Sequence, residues 1–158
     1  MRRRWLLLAA TGVLLTACGS GNTATTGSSL STATVAGVGS VLVDGSGKTL
    51  YYTEQEADGQ VRCTGDCLGF WFPATTADNS TPTGPVTGLS TLKRSDNGKT
   101  QLTYQGKPLY VFKMDTAGQA SGNMVKDKFG GTDFQWFATV VAATTETGGG
   151  GGGGGYGY

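Results

Sequence analysis

Gly47-Lys48-Thr49-Leu50-Tyr51-Tyr52-Thr53-Glu54-Gln55-Glu56 and Gly106-Lys107-Pro108-Leu109-Tyr110-Val111-Phe112-Lys113-Met114-Asp115 are two renderings of one pattern, 59 residues apart and without a gap. Each begins with a glycine turn, runs through Leu-Tyr and ends on an acid. β-Branched and aromatic residues after a glycine turn read as the second strand of a hairpin. The first strand is present in both copies, as Ser40-Val41-Leu42-Val43-Asp44 and Thr100-Gln101-Leu102-Thr103-Tyr104. Downstream, Phe70-Trp71-Phe72-Pro73 is echoed by Gln135-Trp136-Phe137-Ala138, now 65 residues apart, so the second copy has gained loop residues. A fixed internal period signals a repeated structural unit.

The turns support the same reading. Asp44-Gly45-Ser46-Gly47 and Gln105-Gly106-Lys107-Pro108 join the paired strands. Ser95-Asp96-Asn97-Gly98 predicts a further hairpin with Leu89 to Arg94 as partner strand, because Asn-Gly tolerates positive φ at both turn positions. No apolar run of helical period and length follows the first residues. The fold class expected is mostly β: a small antiparallel sandwich or barrel built from two related β-hairpin repeats. The aromatic strands supply its core. Their rings are core first, and a stacking platform for a glycan or quinone only where two or three of them reach solvent.

Working outward, the N-terminus reads as a bacterial lipoprotein signal. Arg2-Arg3-Arg4 is a basic n-region, and Trp5 to Leu15 is an apolar run too short to span a bilayer. Leu15-Thr16-Ala17-Cys18 resembles a lipobox, with Cys18 as the lipidation site that takes palmitate-type acyl chains. More than one chain is needed for stable anchoring. The expected organisation is a signal peptide at 1–17, the lipidated Cys18 and a Gly/Ser/Thr tether through 38, a duplicated β domain at 39–143, and a Gly-rich tail at 144–158.

Composition narrows the chemistry. The chain has 158 residues and no histidine, which removes the imidazole of the common triads and metal sites. It has 12 Lys+Arg and 11 Asp+Glu. Loss of the three signal arginines leaves 9 against 11, a net charge of −2 with the charges dispersed, so no nucleic acid partner is expected. Of three cysteines, Cys18 is assigned to lipid, leaving Cys63 and Cys67. In an oxidising compartment this pair reads as a disulfide staple. A redox pair is the alternative, without the Cys-x-x-Cys spacing. A soft-metal site adding Met114 or Met124 is disfavoured without histidine. Asp115 is expected to close a turn.

Lipobox, tether, Cys-x-x-x-Cys before an aromatic-Pro, and Tyr-x-Gly-x-Pro-Leu-Tyr-x-Phe-x-x-Asp together resemble the bacterial lipoproteins with a Tyr-x-(Phe/Trp/Tyr)-x-x-Asp motif, the secreted repeat of unknown function. By that resemblance the motif residues are Tyr110, Phe112 and Asp115 in the second copy. The first copy keeps Tyr51, with Thr53 and Glu56 at the other two places. The resemblance implies compartment and fold but no reaction. The function expected is a non-enzymatic binding or scaffold module without cofactor, held by lipid on the extracytoplasmic face of a bacterial cell membrane. Its partner is an envelope protein, glycan or small molecule. Two alternatives stand beside it: a redox or electron-transfer accessory using Cys63 and Cys67, and a surface adhesin or glycan binder.

Overall fold

The computed structural model describes residues 29–77 and 80–142. Among them the chain forms eleven strands: β1 (Ser31–Val35), β2 (Gly39–Val43), β3 (Leu50–Thr53), β4 (Trp71–Pro73), β5 (Thr75–Thr76), β6 (Leu89–Lys93), β7 (Thr100–Tyr104), β8 (Lys107–Pro108), β9 (Tyr110–Phe112), β10 (Lys126–Phe129) and β11 (Thr132–Ala138). Two 3-10 turns, Glu54–Glu56 and Gly65–Gly69, lie between β3 and β4. Among the described residues no helix is long and apolar enough to cross a membrane.

The expected class holds. The strand ladders are antiparallel and sandwich-like, and no barrel closes. The central sheet has the order β10-β11-β3-β9-β4. Its middle pair is β3 with β9, the aromatic strand of each copy, in a register that sets Tyr51 opposite Tyr110. These are equivalent residues, so a local two-fold axis passes between them.

The repeats do not build separate sheets, as two related hairpin units would. They exchange strands. β3 of the first copy pairs with β11 of the second, Thr53 opposite Trp136, and β9 of the second pairs with β4 of the first, Phe112 opposite Trp71. The outer hairpins β1–β2 and β6–β7 are joined in the same crossed way. Leu42 donates its N–H to the Thr139 carbonyl (2.9 Å), and Leu102 donates to that of Ala74 (2.7 Å). Each hairpin is thus completed by the segment that follows the other copy's last strand.

Successive residues of a strand face opposite sides, and here they feed two cores. Tyr51, Tyr110, Trp71 and Trp136 gather on one face with Val41, Val43 and the two cysteines. Leu42, Leu50, Leu102, Leu109 and Val111 gather on the other. Leu42 and Leu102 are repeat mates, as are Leu50 and Leu109.

Local expectations meet two corrections. The tether ends before residue 38: Leu30 is buried, and Ser31–Val35 pair with β2 from Ser31↔Val43 to Val35↔Gly39. Threonine-rich sequence suits a strand when Ala33 and Val35 have a core to pack against. The Asn97-Gly98 turn takes positive φ at Gly98 alone (φ 69°). Arg94 and Lys99 close a four-residue loop, and Asn97 spends its side-chain oxygen on the Lys99 N–H (3.0 Å). The turns with two positive φ values are Gln105-Gly106, at 50° and 80°, and Gly130-Gly131 between β10 and β11, at 55° and 85°.

Candidate functional site

The acids at the ends of the two repeated patterns lie inside the protein. Asp115 is 2% exposed and Glu56 is fully buried. Each reaches the tyrosine of the opposite copy. Tyr51 donates its hydroxyl to Asp115 Oδ2, and Tyr110 donates to Glu56 Oε2 at 2.8 Å. The other carboxyl oxygen of each acid closes its own loop at the same spacing. Glu56 Oε1 accepts from the Arg62 N–H (2.6 Å) and the Cys63 N–H (2.7 Å). Asp115 Oδ1 accepts from the Ser121 N–H (3.1 Å) and the Ser121 hydroxyl.

The expected turn closure by Asp115 is therefore present, together with a cross-copy bond that the linear pattern does not reveal. Burial, followed by the hydrogen bond and charge of Asp115, pushes the Tyr51 phenol well above its ordinary value. Burial, then the charge and hydrogen bond of Glu56, does the same to Tyr110. Neither phenol is a base at neutral pH.

Arg94 completes the second of these networks. It is 1% exposed, and its guanidinium donates to Gln101 Oε1 (2.7 Å), the Cys63 carbonyl (2.8 Å) and both oxygens of Asp96 (2.9 and 2.8 Å). Burial works against its charge, and the contacts with Asp96 and Tyr110 together more than offset that cost. The hydrogen bond from Arg94 holds Asp96 below the usual carboxylate range. Every polar edge of this buried ion has a partner, the condition under which such an ion is tolerated.

Trp71 and Trp136, equivalent in the repeat, stack face to face at 3.9 Å and 10°. Asp127 bridges them, accepting Trp71 Nε1 at 2.8 Å and Trp136 Nε1 at 3.0 Å. Phe112 is half-buried and stacks on Trp71 at 4.4 Å. Cys63 and Cys67 form a disulfide with Cα atoms 5.3 Å apart, both fully buried in the aromatic core. Among the described residues no cluster of His, Cys, Asp or Glu converges as a metal site. Cys18 lies outside the described residues.

The structure thus brings Tyr51, Tyr110, Phe112, Asp115, Cys63 and Cys67 to one aromatic core and none of them to an open pocket. Two concavities open to solvent among the described residues: a shallow, charged one of about 530 Å³ beside Asp127, lined by Lys126, Lys128, Asp133 and Gln135, and a more enclosed cleft of about 370 Å³ on the opposite sheet face. Tyr52, Tyr104, Gln105, Lys107, Phe137 and Thr139 are among its lining residues. Tyr52 and Phe137 are cross-strand partners whose rings stack at 5.8 Å. Lys107 Nζ sits 4.1 Å over the Tyr52 ring. Burial, then the charge of Glu54, raises the Tyr52 phenol.

Sequence reasoning named Glu56 only as a degraded motif position and missed Arg94, Asp127 and the cleft. The available signal for Glu56 was its place 59 residues before Asp115, an acid at the same position of the repeat. The cleft has no linear signal, since five separate stretches compose it.

The family model described as the secreted repeat of unknown function matches residues 32–75 and 91–131. No curated protein and no solved structure matches the chain. The first matched segment runs from β1 into β5 and the second from β6 to the turn after β10, ending before β11, and the chain belongs to the family of the secreted repeat of unknown function.

Proposed function

We propose that this protein is a lipid-anchored, extracytoplasmic and non-catalytic binding module of the bacterial cell envelope. Cys18 carries the anchor, and the short polar stretch after it holds the β unit away from the membrane surface. One observation carries the reading. The acids and tyrosines of the repeat are consumed in mutual closure, while the more enclosed of the two described concavities is lined by rings, amides and one ammonium. Such a lining suits recognition: an apolar floor with a few placed polar groups.

The test has two parts. Mass spectrometry of the mature N-terminus is expected to show diacylglyceryl-modified Cys18, and Cys18→Ser is expected to move the protein from the membrane to the soluble fraction. The purified chain is expected to bind envelope material and leave it chemically unchanged. An unmodified Cys18 in native material, or turnover by the purified chain, overturns the proposal.

The redox alternative has one point in its favour, the contact of the disulfide with the aromatic core. Against it, both sulfurs are buried, and the backbone of Cys63 is held by Glu56 and Arg94. A reduction potential below about −300 mV marks a structural bond; a higher one restores the redox reading.

A further inference from the structure

Thr139 lines the cleft, is 1% exposed, and its hydroxyl is the one buried side-chain polar atom without a hydrogen-bond partner among the described residues. An unpartnered buried hydroxyl is costly, and a native protein that keeps one has a reason to. The repeat supplies a control within the same molecule. Ala74 is the mate of Thr139. Both donate N–H to a leucine carbonyl of the opposite strand, Leu109 for Ala74 (2.9 Å) and Leu50 for Thr139 (2.8 Å), and both accept from the hairpin, as described above. Ala74 is fully buried and does this with a methyl group. The fold therefore has no need of a hydroxyl at this position.

Three other features surround it. Tyr52 and Phe137 offer two half-buried rings side by side, while their strand neighbours Tyr51 and Trp136 face the closed core. Lys107 is the one charged residue in the lining, and a ring rather than a carboxylate holds its ammonium. Gln105 and Met124, the two non-glycine residues with positive φ among the described residues (50° and 64°), both lie on the rim. Backbone strain of this kind collects at functional sites.

Building on the binding-module reading, we infer that this cleft takes a single carboxylated sugar ring. The apolar C–H face of the sugar lies against the Tyr52–Phe137 pair. A ring hydroxyl meets Thr139 Oγ1. The carboxylate draws Lys107 off the Tyr52 ring, since an ammonium gains more from an ionised acceptor than from a ring face. A planar aromatic acid would satisfy the rings and the lysine but leave Thr139 unpaired. A neutral sugar would satisfy Thr139 and the rings but not the lysine. The cleft volume is of the order that small ligands occupy.

The experiment is amide chemical-shift mapping on the full mature lipoprotein in detergent micelles. The probes are glucuronate and N-acetylmuramate, two carboxylated sugars from different polymer sources, with neutral N-acetylglucosamine and benzoate as controls. Saturable shifts are expected at Gln105–Lys107 and Phe137–Val140, with a dissociation constant of about 1 mM for at least one carboxylated sugar. Both controls are expected to bind at least about fivefold more weakly. Lys107→Met is expected to abolish the preference over N-acetylglucosamine. Thr139→Val, which keeps the shape, is expected to weaken sugar binding about three- to tenfold without lowering the unfolding midpoint. A hydroxyl with a merely structural role would leave affinity unchanged.

Equal binding of carboxylated and neutral sugars, or benzoate binding as well as either sugar, overturns the inference. So do shifts at the cleft when residues 143–158 are deleted in the absence of sugar, which would make the chain's own tail the occupant. Absence of any shift with both acids refutes the cleft assignment alone. The anchored-module reading is judged separately, on Cys18 and turnover.

Discussion

Replacing Tyr110 by phenylalanine removes one oxygen from the centre of the fold and nothing else. That oxygen donates to Glu56 Oε2 at 2.8 Å, and both residues are fully buried. The other carboxyl oxygen keeps its two backbone donors, so the loop after Glu56 stays closed. The cost is one hydrogen bond to a charged group, an acceptor left bare and the long bond donated by Arg94 Nη1 (3.4 Å), about 2–3 kcal/mol. A domain of this size has roughly 5–15 kcal/mol in total. With a urea dependence of about 1–3 kcal/mol per molar, the midpoint is expected to fall by about 1–2 M. Tyr51→Phe is expected to cost nearly the same, because it bares the mate of that contact and also removes the acceptor of the Gly122 N–H.

The assay is urea unfolding followed by tryptophan fluorescence and far-ultraviolet circular dichroism. Trp5 lies in the predicted signal, so fluorescence of the mature protein reads Trp71 and Trp136, one from each copy. Because the copies exchange strands, both signals are expected to move in one transition. A cost below about 0.5 kcal/mol for either variant would refute the crossed closure. Two separated transitions would refute the interlocking itself.

Further outcomes follow from the same geometry. Because the folded phenols of Tyr51 and Tyr110 titrate above their unfolded value of about 10, stability is complete below that pH and declines above it, by about 1.4 kcal/mol per pH unit for each tyrosine; a series of urea melts between pH 9 and pH 12 checks this, and a flat profile contradicts it. Replacing Cys63 and Cys67 together by alanine is expected to cost about 2 kcal/mol, the small value proper to a loop this short, as read from the same melts. Gly122→Ala would bring a methyl carbon to 2.8 Å from the Trp71 ring and 3.1 Å from the Tyr51 ring, and is expected to lower stability by about 1–3 kcal/mol with a visible change in near-ultraviolet circular dichroism.

The hairpins, the aromatic strands and the turn at Asp44 were legible because each rests on local chemistry. Asp44 Oδ1 accepts from the N–H groups of Ser46 (2.8 Å) and Lys48 (3.0 Å), and such a turn is written in a few adjacent residues. The exchange of strands was not legible, and duplication is the reason. β3 has two chemically equivalent candidates for a neighbour, β4 and β11, both presenting Trp-Phe at the same register. Alternation cannot separate them; the closure of Glu56 on Tyr110 and Asp115 on Tyr51 distinguishes them only in three dimensions. The strand at Ser31–Val35 was hidden by composition, since its serine and threonines continue the polar stretch before it. Of the site, the residues that sequence singled out proved to be the interior lattice. The open cleft depends on which rings remain half-covered, and that follows from tertiary packing.

Strand exchange also bears on ancestry. A polypeptide carrying a single such unit would leave its aromatic strand with a naked edge, and could bury its leucines and tryptophan only by finding a twin. Tandem fusion turns that concentration-dependent meeting into an intramolecular one. It also releases the twins from having to be identical, so that each position can drift apart from its mate. Cys63 opposite Gly122, and Thr139 opposite Ala74, are the marks of that freedom.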